Sequence, residues 1–314
     1  MKTCDVAAMS DQAAMSDQPP VTDQRYAFVL GTGRCGSTLV HELLTRHPDV
    51  GFVTNVDDRT GRAIGGRVQA GLYRRLPAAA TRKGRVRLAP SEAYRALERE
   101  VSGIVTEPAR DLEASDAVPW LASRFEAFFA SRATAFGAPL FLHKFTGWPR
   151  ARFVDRVLPG SRYVHVVRDG RAVAASWLQT DWWRGHLGPE GWHFGPLPPA
   201  YEKEWQASGR SFVVLAGLAW KLLLDAFDES RHAIGDDRWL EVRFEDVLAD
   251  PRARTAEMLE FLGLGWSDAF ESGFRAFQFD TGRAAAWRSV LGDEASAELD
   301  ASLADHLVRH GYEV

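Results

Sequence analysis

Glycines, hydroxyls and a guanidinium crowd into one short stretch of the chain. Gly31-Thr32-Gly33-Arg34-Cys35-Gly36 follows the apolar run Tyr26–Leu30, and Ser37 and Thr38 then open a run with Leu39, Val40, Leu43 and Leu44 on one side. Strand, glycine-rich turn and helix in that order build an anion cradle. The glycines let backbone N–H groups turn inward without Cβ clashes. The helix start adds unpaired N–H groups and the positive end of its dipole, and Ser37 and Thr38 add hydroxyl donors. An ordinary turn capped by Ser37 or Thr38 is the structural alternative. A nucleoside-triphosphate loop reads G-x-x-x-x-G-K-[ST]. Here Gly31 and Gly36 keep the spacing, but Ser37 stands where the lysine belongs and the cation is Arg34, inside the loop. The usual reach toward a γ-phosphate is missing, which argues against an ATPase or GTPase and for another anionic nucleotide.

Other chemistry-bearing residues lie at the expected ends of strands. Ser161–Val167 is the clearest strand, strongly β-favouring, and it runs into Arg168-Asp169-Gly170-Arg171. Arg168 at its end and Ser176, two turns into the next helix, can converge on one phosphate, with a planar donor fork and a hydroxyl. Pro139–His143 reads as another strand, followed by Lys144, one of only five lysines. Lys144 is a candidate for the cleft, and His143 is a candidate base or a hydrogen-bonded structural histidine. Val50–Thr54 reads as a second short strand with Asp57 and Asp58 just beyond it, where open parallel sheets place ligand-facing groups. Either aspartate can be a general base or a helix cap.

These residues need a frame. The pattern predicts an α/β fold: a central parallel sheet of about five strands flanked by helices, with ligand at the strands' C-terminal ends. The 314 residues allow a sizeable core. Residues 25–314 read as one domain with cap insertions at 59–136 and 177–220, and residues 1–24, with the tandem repeat AAMSDQ at 7–12 and 13–18, as a disordered leader. A net charge of −4 makes no case for a nucleic-acid binder. No apolar run reaches the roughly 18 residues of a membrane span. Cys4 and Cys35 lie in the leader and the loop, which points to a reducing, cytoplasmic setting.

Two segments stand apart in composition. Residues 59–99 hold eleven basic residues against Glu92 and Glu98. They read as a solvated helical cap, or as a surface for an anionic partner or carrier protein. Trp177, Trp182, Trp183 and Trp192 occur with Pro and Gly in a loop-like stretch before Trp205. They can form an acceptor lid of flat apolar surfaces or plug the core. Trp120, Leu121, Phe125, Phe128 and Phe129 follow helical spacing and read as core. Val213–Phe227 and residues 294–310 read as further helices.

The motifs together resemble those of the sulfotransferases that use 3′-phosphoadenosine-5′-phosphosulfate (PAPS). Gly31–Val40 is similar to that family's 5′-phosphosulfate loop, a variant of the P-loop-type fold. Val166–Ser176 resembles its 3′-phosphate motif, with Arg168 and Ser176 eight positions apart as in the family. Trp239–Pro251 resembles a strand-plus-helix segment, and Thr281–Arg288 the C-terminal loop that closes over the 3′-phosphate. The resemblance is nearest to the bacterial, carbohydrate- and tyrosylprotein-type branch. It implies sulfuryl transfer from PAPS to an acceptor hydroxyl or amine of a carbohydrate, lipid or small metabolite, without a metal. A phosphotransferase or a non-catalytic nucleotide-binding protein is the alternative.

The resemblance also implies roles. Gly33, Arg34, Cys35, Gly36, Ser37 and Thr38 would form the loop around the 5′-phosphate, Arg34 stabilising the leaving oxygen. Lys144 would contact the sulfuryl group. Arg168 and Ser176 would hold the 3′-phosphate, Arg283 or Arg288 would lie over it, and Phe244 would sit near the adenine. The base position departs from the pattern: relatives in this branch often carry Glu near the end of the second strand, where Thr54 and Asn55 stand here. Asp57, Asp58 and His143 are left as base candidates.

Overall fold

The computed structural model describes residues 24–61, 65–76, 88–283 and 286–314, with only the backbone of Arg283. The expected leader, apart from Gln24, and the cations Arg62, Arg82, Lys83, Arg85 and Arg87 lie outside these residues.

Five strands form one sheet: β1 (Arg25–Gly31), β2 (Val50–Gly51), β3 (Leu140–Thr146), β4 (Arg162–Val167) and β5 (Trp239–Arg243). Their order is β2-β3-β1-β4-β5 and every pairing is parallel. Parallel strands covered on both faces read as continuous apolar runs, which is why Ala27–Leu30 and Tyr163–Val167 are buried end to end. The chain leaves β1 for the β3 side and later returns to its other flank with β4. Such a reversal opens a crevice beyond the strands' carboxyl ends.

One face of the sheet is an aromatic layer. Phe28 on β1 stacks on Phe145 of β3 at 5.9 Å between centroids and meets Phe129 edge-on at 5.6 Å. Phe129 and Phe125 come from the helix Pro119–Phe136, where their spacing puts them on one side, and Phe125 meets Phe153 at 5.1 Å. Each fully buried ring of this kind contributes about 1.5–3 kcal/mol. The helices Gly170–Trp177, Phe212–Ile234 and Trp287–Arg309 pack together. The last of these kinks at Gly292, whose φ is 74°.

Three expectations shift. β3 extends through Thr146, so His143 and Lys144 lie within the strand and point to opposite faces. β2 is cut to two residues, because the returning segment takes the hydrogen bonds that would have extended it. Asn55 N–H donates to the Ala89 carbonyl, Ser91 N–H donates to the Val53 carbonyl, and Thr54 forms an antiparallel bridge with Pro90. The tryptophan-rich stretch divides: Trp177, Trp183 and Trp192 are core, while Trp182 is 48% exposed.

The basic segment is partly internal. Arg67 donates to the Phe136 carbonyl at 3.0 Å, and Arg74 donates to the carbonyls of Thr45 and Val50. No described helix is long and apolar enough to cross a membrane.

Candidate active site

The turn after β1 is held in a conformation that most residues avoid. Gly33, Arg34 and Gly36 all have positive φ, at 80°, 56° and 91°. Successive N–H groups in such a turn form an anion nest. Gly36 is required twice over: a Cβ there would lie 2.1 Å from the ring of Phe244, besides the unfavourable φ. Gly31 admits no side chain either, since its Cβ would meet Cys35 Sγ at 2.3 Å. Cys35 is therefore core, and only its backbone can serve the cradle. The helix Ser37–Leu44 starts directly behind the nest, its first N–H groups without a side-chain cap.

Residues from β4, β5 and the following helices close around this turn. Arg34 Nε donates to Ser176 Oγ at 2.8 Å, and Arg168 Nη1 donates to the Arg34 carbonyl at 3.0 Å. The Arg168 guanidinium stands 5.3 Å over the Phe244 ring, which packs on Gly36. The spacing of Arg168 and Ser176 thus brings both to Arg34, one from the strand end and one from the helix behind it. Phe244 opens the helix Phe244–Ala249, directly after β5.

Opposite them, Lys144 reaches from inside β3. Its Nζ donates to Thr38 Oγ1 at 2.7 Å and pairs with Glu92 Oε1 at 2.7 Å. Thr146, two residues on and on the same face, donates to Glu92 Oε2 at 2.8 Å. All these groups line one cavity of about 1060 Å³, together with Trp182, Gln278 and Asp280. That volume is at the top of the roughly 300–1,000 Å³ usual for ligand sites. Burial pushes the Glu92 carboxyl up, but the Lys144 ammonium and the hydrogen bonds from Lys144 and Thr146 outweigh it and hold it below its ordinary value. Glu92 is an ionised carboxylate at neutral pH.

The three base candidates read from the sequence lie elsewhere. Asp57 is 1% exposed and receives Arg132 Nε at 2.8 Å and Nη2 at 3.1 Å; the same guanidinium also grips Glu100. Burial raises the Asp57 carboxyl in spite of Arg132. Asp58 accepts the Ala96 N–H at 3.0 Å and the Ser91 hydroxyl at 3.4 Å, so it anchors the helix Tyr94–Glu100. His143 is fully buried among Phe28, Phe129 and Phe145, and burial pushes its pKa down to about 3. None of the three lines the cavity. Arg288 is exposed, stacks on Trp287 at 4.5 Å and is also outside the lining; the Arg283 side chain is outside the described residues.

A nest of N–H groups and the three cations Arg34, Lys144 and Arg168 around one cavity suit an anionic group donor. The sequence profile of the sulfotransferase family matches residues 27–268, most of the chain. The chain belongs to the sulfotransferase family. Its reaction class is therefore sulfuryl transfer. The fold is shared with solved sulfotransferases. Sulfotransferase STF9 from Mycobacterium avium is 16% identical, with a TM-score of 0.57 over 94% of this chain and 79% of that one. The sulfotransferase domain of the olefin synthase from Synechococcus PCC 7002 is 17% identical, with a TM-score of 0.51 over 94% of this chain and 98% of that one. No curated protein matches the chain by sequence.

Glu92 is the residue of this sulfotransferase that sequence reasoning missed. It sits 38 positions after Thr54, inside a run of basic residues, and no local motif marks it. The antiparallel bridge between Thr54 and Pro90 returns the chain to the end of β2 and puts Glu92 beside Lys144. The one available signal was compositional: a carboxylate isolated among arginines.

Proposed function

We propose that this sulfotransferase moves the sulfuryl group of PAPS to a hydroxyl, or an amine, of a carbohydrate, lipid or small-metabolite acceptor. In this reading the nest at Gly33–Gly36, with Ser37 and Thr38, takes the 5′-phosphosulfate. Arg168 and Ser176 take the 3′-phosphate, and Phe244 offers its ring to the adenine. Arg34 meets the charge that develops on the leaving phosphate oxygen. Preorganised cations aimed at such charge in a dry cleft supply much of a rate enhancement. Lys144 is shared with the sulfuryl group. Glu92 is the general base, in place of Asp57, Asp58 and His143.

The observation that carries the proposal is the arrangement of groups around one cavity. Arg34, Arg168 and Ser176 stand on one side of the nest, and the Lys144–Glu92 pair stands on the other. A donor held by the first set would present its transferable group to the second, which suits in-line attack by a held acceptor. Trp182, exposed at the rim, is the flat apolar surface that the acceptor would meet.

The test is incubation with PAPS carrying labelled sulfate against pools of sugars, lipids, phenols and peptides, with detection of labelled product. Transfer is expected to one pool and to vanish in Arg34→Ala. Arg168→Ala is expected mainly to weaken binding of the desulfated product, 3′-phosphoadenosine-5′-phosphate. An unchanged rate in Arg34→Ala contradicts the mechanism.

A further inference from the structure

Lys144 Nζ stands between two oxygens, 2.7 Å from Glu92 Oε1 and 2.7 Å from Thr38 Oγ1. One belongs to the base and the other to the first turn of the donor cradle. The second oxygen of Glu92 is held independently. Thr146 donates its only proton to Glu92 Oε2 at 2.8 Å, so the Tyr94 hydroxyl, 2.9 Å from Thr146 Oγ1, is the donor in that pair. The carboxylate therefore has one oxygen tied through two hydroxyls to the frame and one tied to an ammonium on a flexible stem. An ammonium on Glu92 Oε1 lowers the basicity of that oxygen, so the carboxylate is a weaker base toward an acceptor while Lys144 is paired with it. An anion entering beside Thr38 competes with Glu92 for that same ammonium, because unlike charges at this distance in a partly buried site interact strongly.

Building on the donor assignment above, we propose that Lys144 is a latch. The phosphosulfate draws the ammonium off Glu92 Oε1, so the base is released only when the donor is in place. Thr146 and Tyr94 are positioning residues that keep Glu92 Oε2 anchored while Oε1 is freed. The acceptor O–H proton then passes to Glu92 Oε1 as the acceptor oxygen bonds to sulfur. The bond from sulfur to the 5′-phosphate oxygen breaks, and its electron pair stays on the phosphate. The arrangement favours an order of events in which the acceptor is deprotonated only after donor binding. Such an order keeps the base paired in the donor-free enzyme.

The experiment follows the Glu92 carboxyl in the full-length protein labelled with ¹³Cδ-glutamate, the signal being assigned by its loss in Glu92→Gln. PAPS binding is measured on the same samples by calorimetry. In the wild type, PAPS is expected to raise the titration midpoint of Glu92 by about one pH unit or more. In Lys144→Ala the midpoint is expected to be already high, with PAPS no longer moving it. PAPS binding without a change in the wild-type midpoint overturns the latch and leaves the donor assignment standing. Absence of PAPS binding overturns both. For the positioning residues, Thr146→Val is expected to lower kcat about tenfold, the worth of one hydrogen bond to a charged group. KM for PAPS should stay unchanged, and Thr146→Ser should restore the rate. An equal loss in the serine variant, or a rise in KM with kcat intact, contradicts the positioning role.

Discussion

Glu92 and Asp57 are both carboxylates beside a cation, yet their surroundings give them different uses. Glu92 is half-buried, faces the cavity and shares its partner with a second oxygen. Asp57 is sealed and receives two guanidinium N–H groups from Arg132. Replacing Glu92 with Gln keeps the shape and removes the basicity. General-base catalysis is worth about 10²- to 10⁴-fold, and a loss of that size in kcat is expected with PAPS affinity little changed. Steady-state kinetics with a donor titration checks it, and a kcat within threefold of wild type removes Glu92 as the base. Ser176→Ala acts on the donor instead. It withdraws the hydroxyl that receives Arg34 Nε, so a rise in the donor dissociation constant of about tenfold is expected, the worth of one hydrogen bond to a charged group.

At the scale of elements, the cradle depends on two helices that meet across it. Phe244 opens its helix directly after β5 and fills the space over Gly36 that a side chain would need. Gly36→Ala is expected to displace Phe244 or the turn, and to abolish donor binding while the sheet persists; calorimetry beside circular dichroism separates the two. Asp57→Ala acts on another junction. Arg132 ties the helix Pro119–Phe136 to both Asp57 and Glu100, and removing one partner from a buried ion pair costs about 3–5 kcal/mol. The midpoint of thermal unfolding should fall markedly, while the protein that stays folded turns over at the wild-type rate. A lost rate in folded Asp57→Ala would return Asp57 to the chemistry. These elements also show how far the sequence reaches. The turn at Gly31–Gly36 and the Arg168–Ser176 pair are local patterns whose geometry follows from strand, turn and helix, so they could be read directly. Glu92 could not, because its place depends on a long-range bridge between Thr54 and Pro90 rather than on its neighbours in the chain. The sequence pattern puts His143 and Lys144 together at a strand end, but the strand runs on through Thr146, and alternation sends one to the core and the other to the cavity.

For the whole molecule, a parallel sheet covered on both faces leaves little water around an ionisable group that lies away from the cavity. Burial of histidines within or against the sheet favours their neutral form. His143 on β3 has no hydrogen-bond partner among the described residues, and burial pushes its pKa down to about 3. His41 behind the donor cradle and His165 on β4 are lowered by burial as well. The unfolded chain protonates each of these imidazoles below a pH of about 6.5, and the folded chain only at a lower pH. Stability is therefore intact above that value and declines as pH falls, by at most about 1.4 kcal/mol per pH unit for an imidazole and only until that ring is protonated in the fold. For His143 the decline continues down to about pH 3. His143→Leu replaces a buried, unpartnered polar ring with an apolar side chain. Removing such a group can be neutral or stabilising, so stability at pH 7 is expected to hold or rise. The slope of stability against pH between about 6 and 4 is expected to become shallower by one imidazole's share. Urea unfolding at pH 7, 6, 5 and 4 measures it, and sulfuryl transfer assayed at pH 7 should persist in the variant. A slope equal to that of the wild type would mean that His143 is already protonated in the fold. A lost activity in the stable variant would give His143 the catalytic role from which its burial in the aromatic layer excludes it.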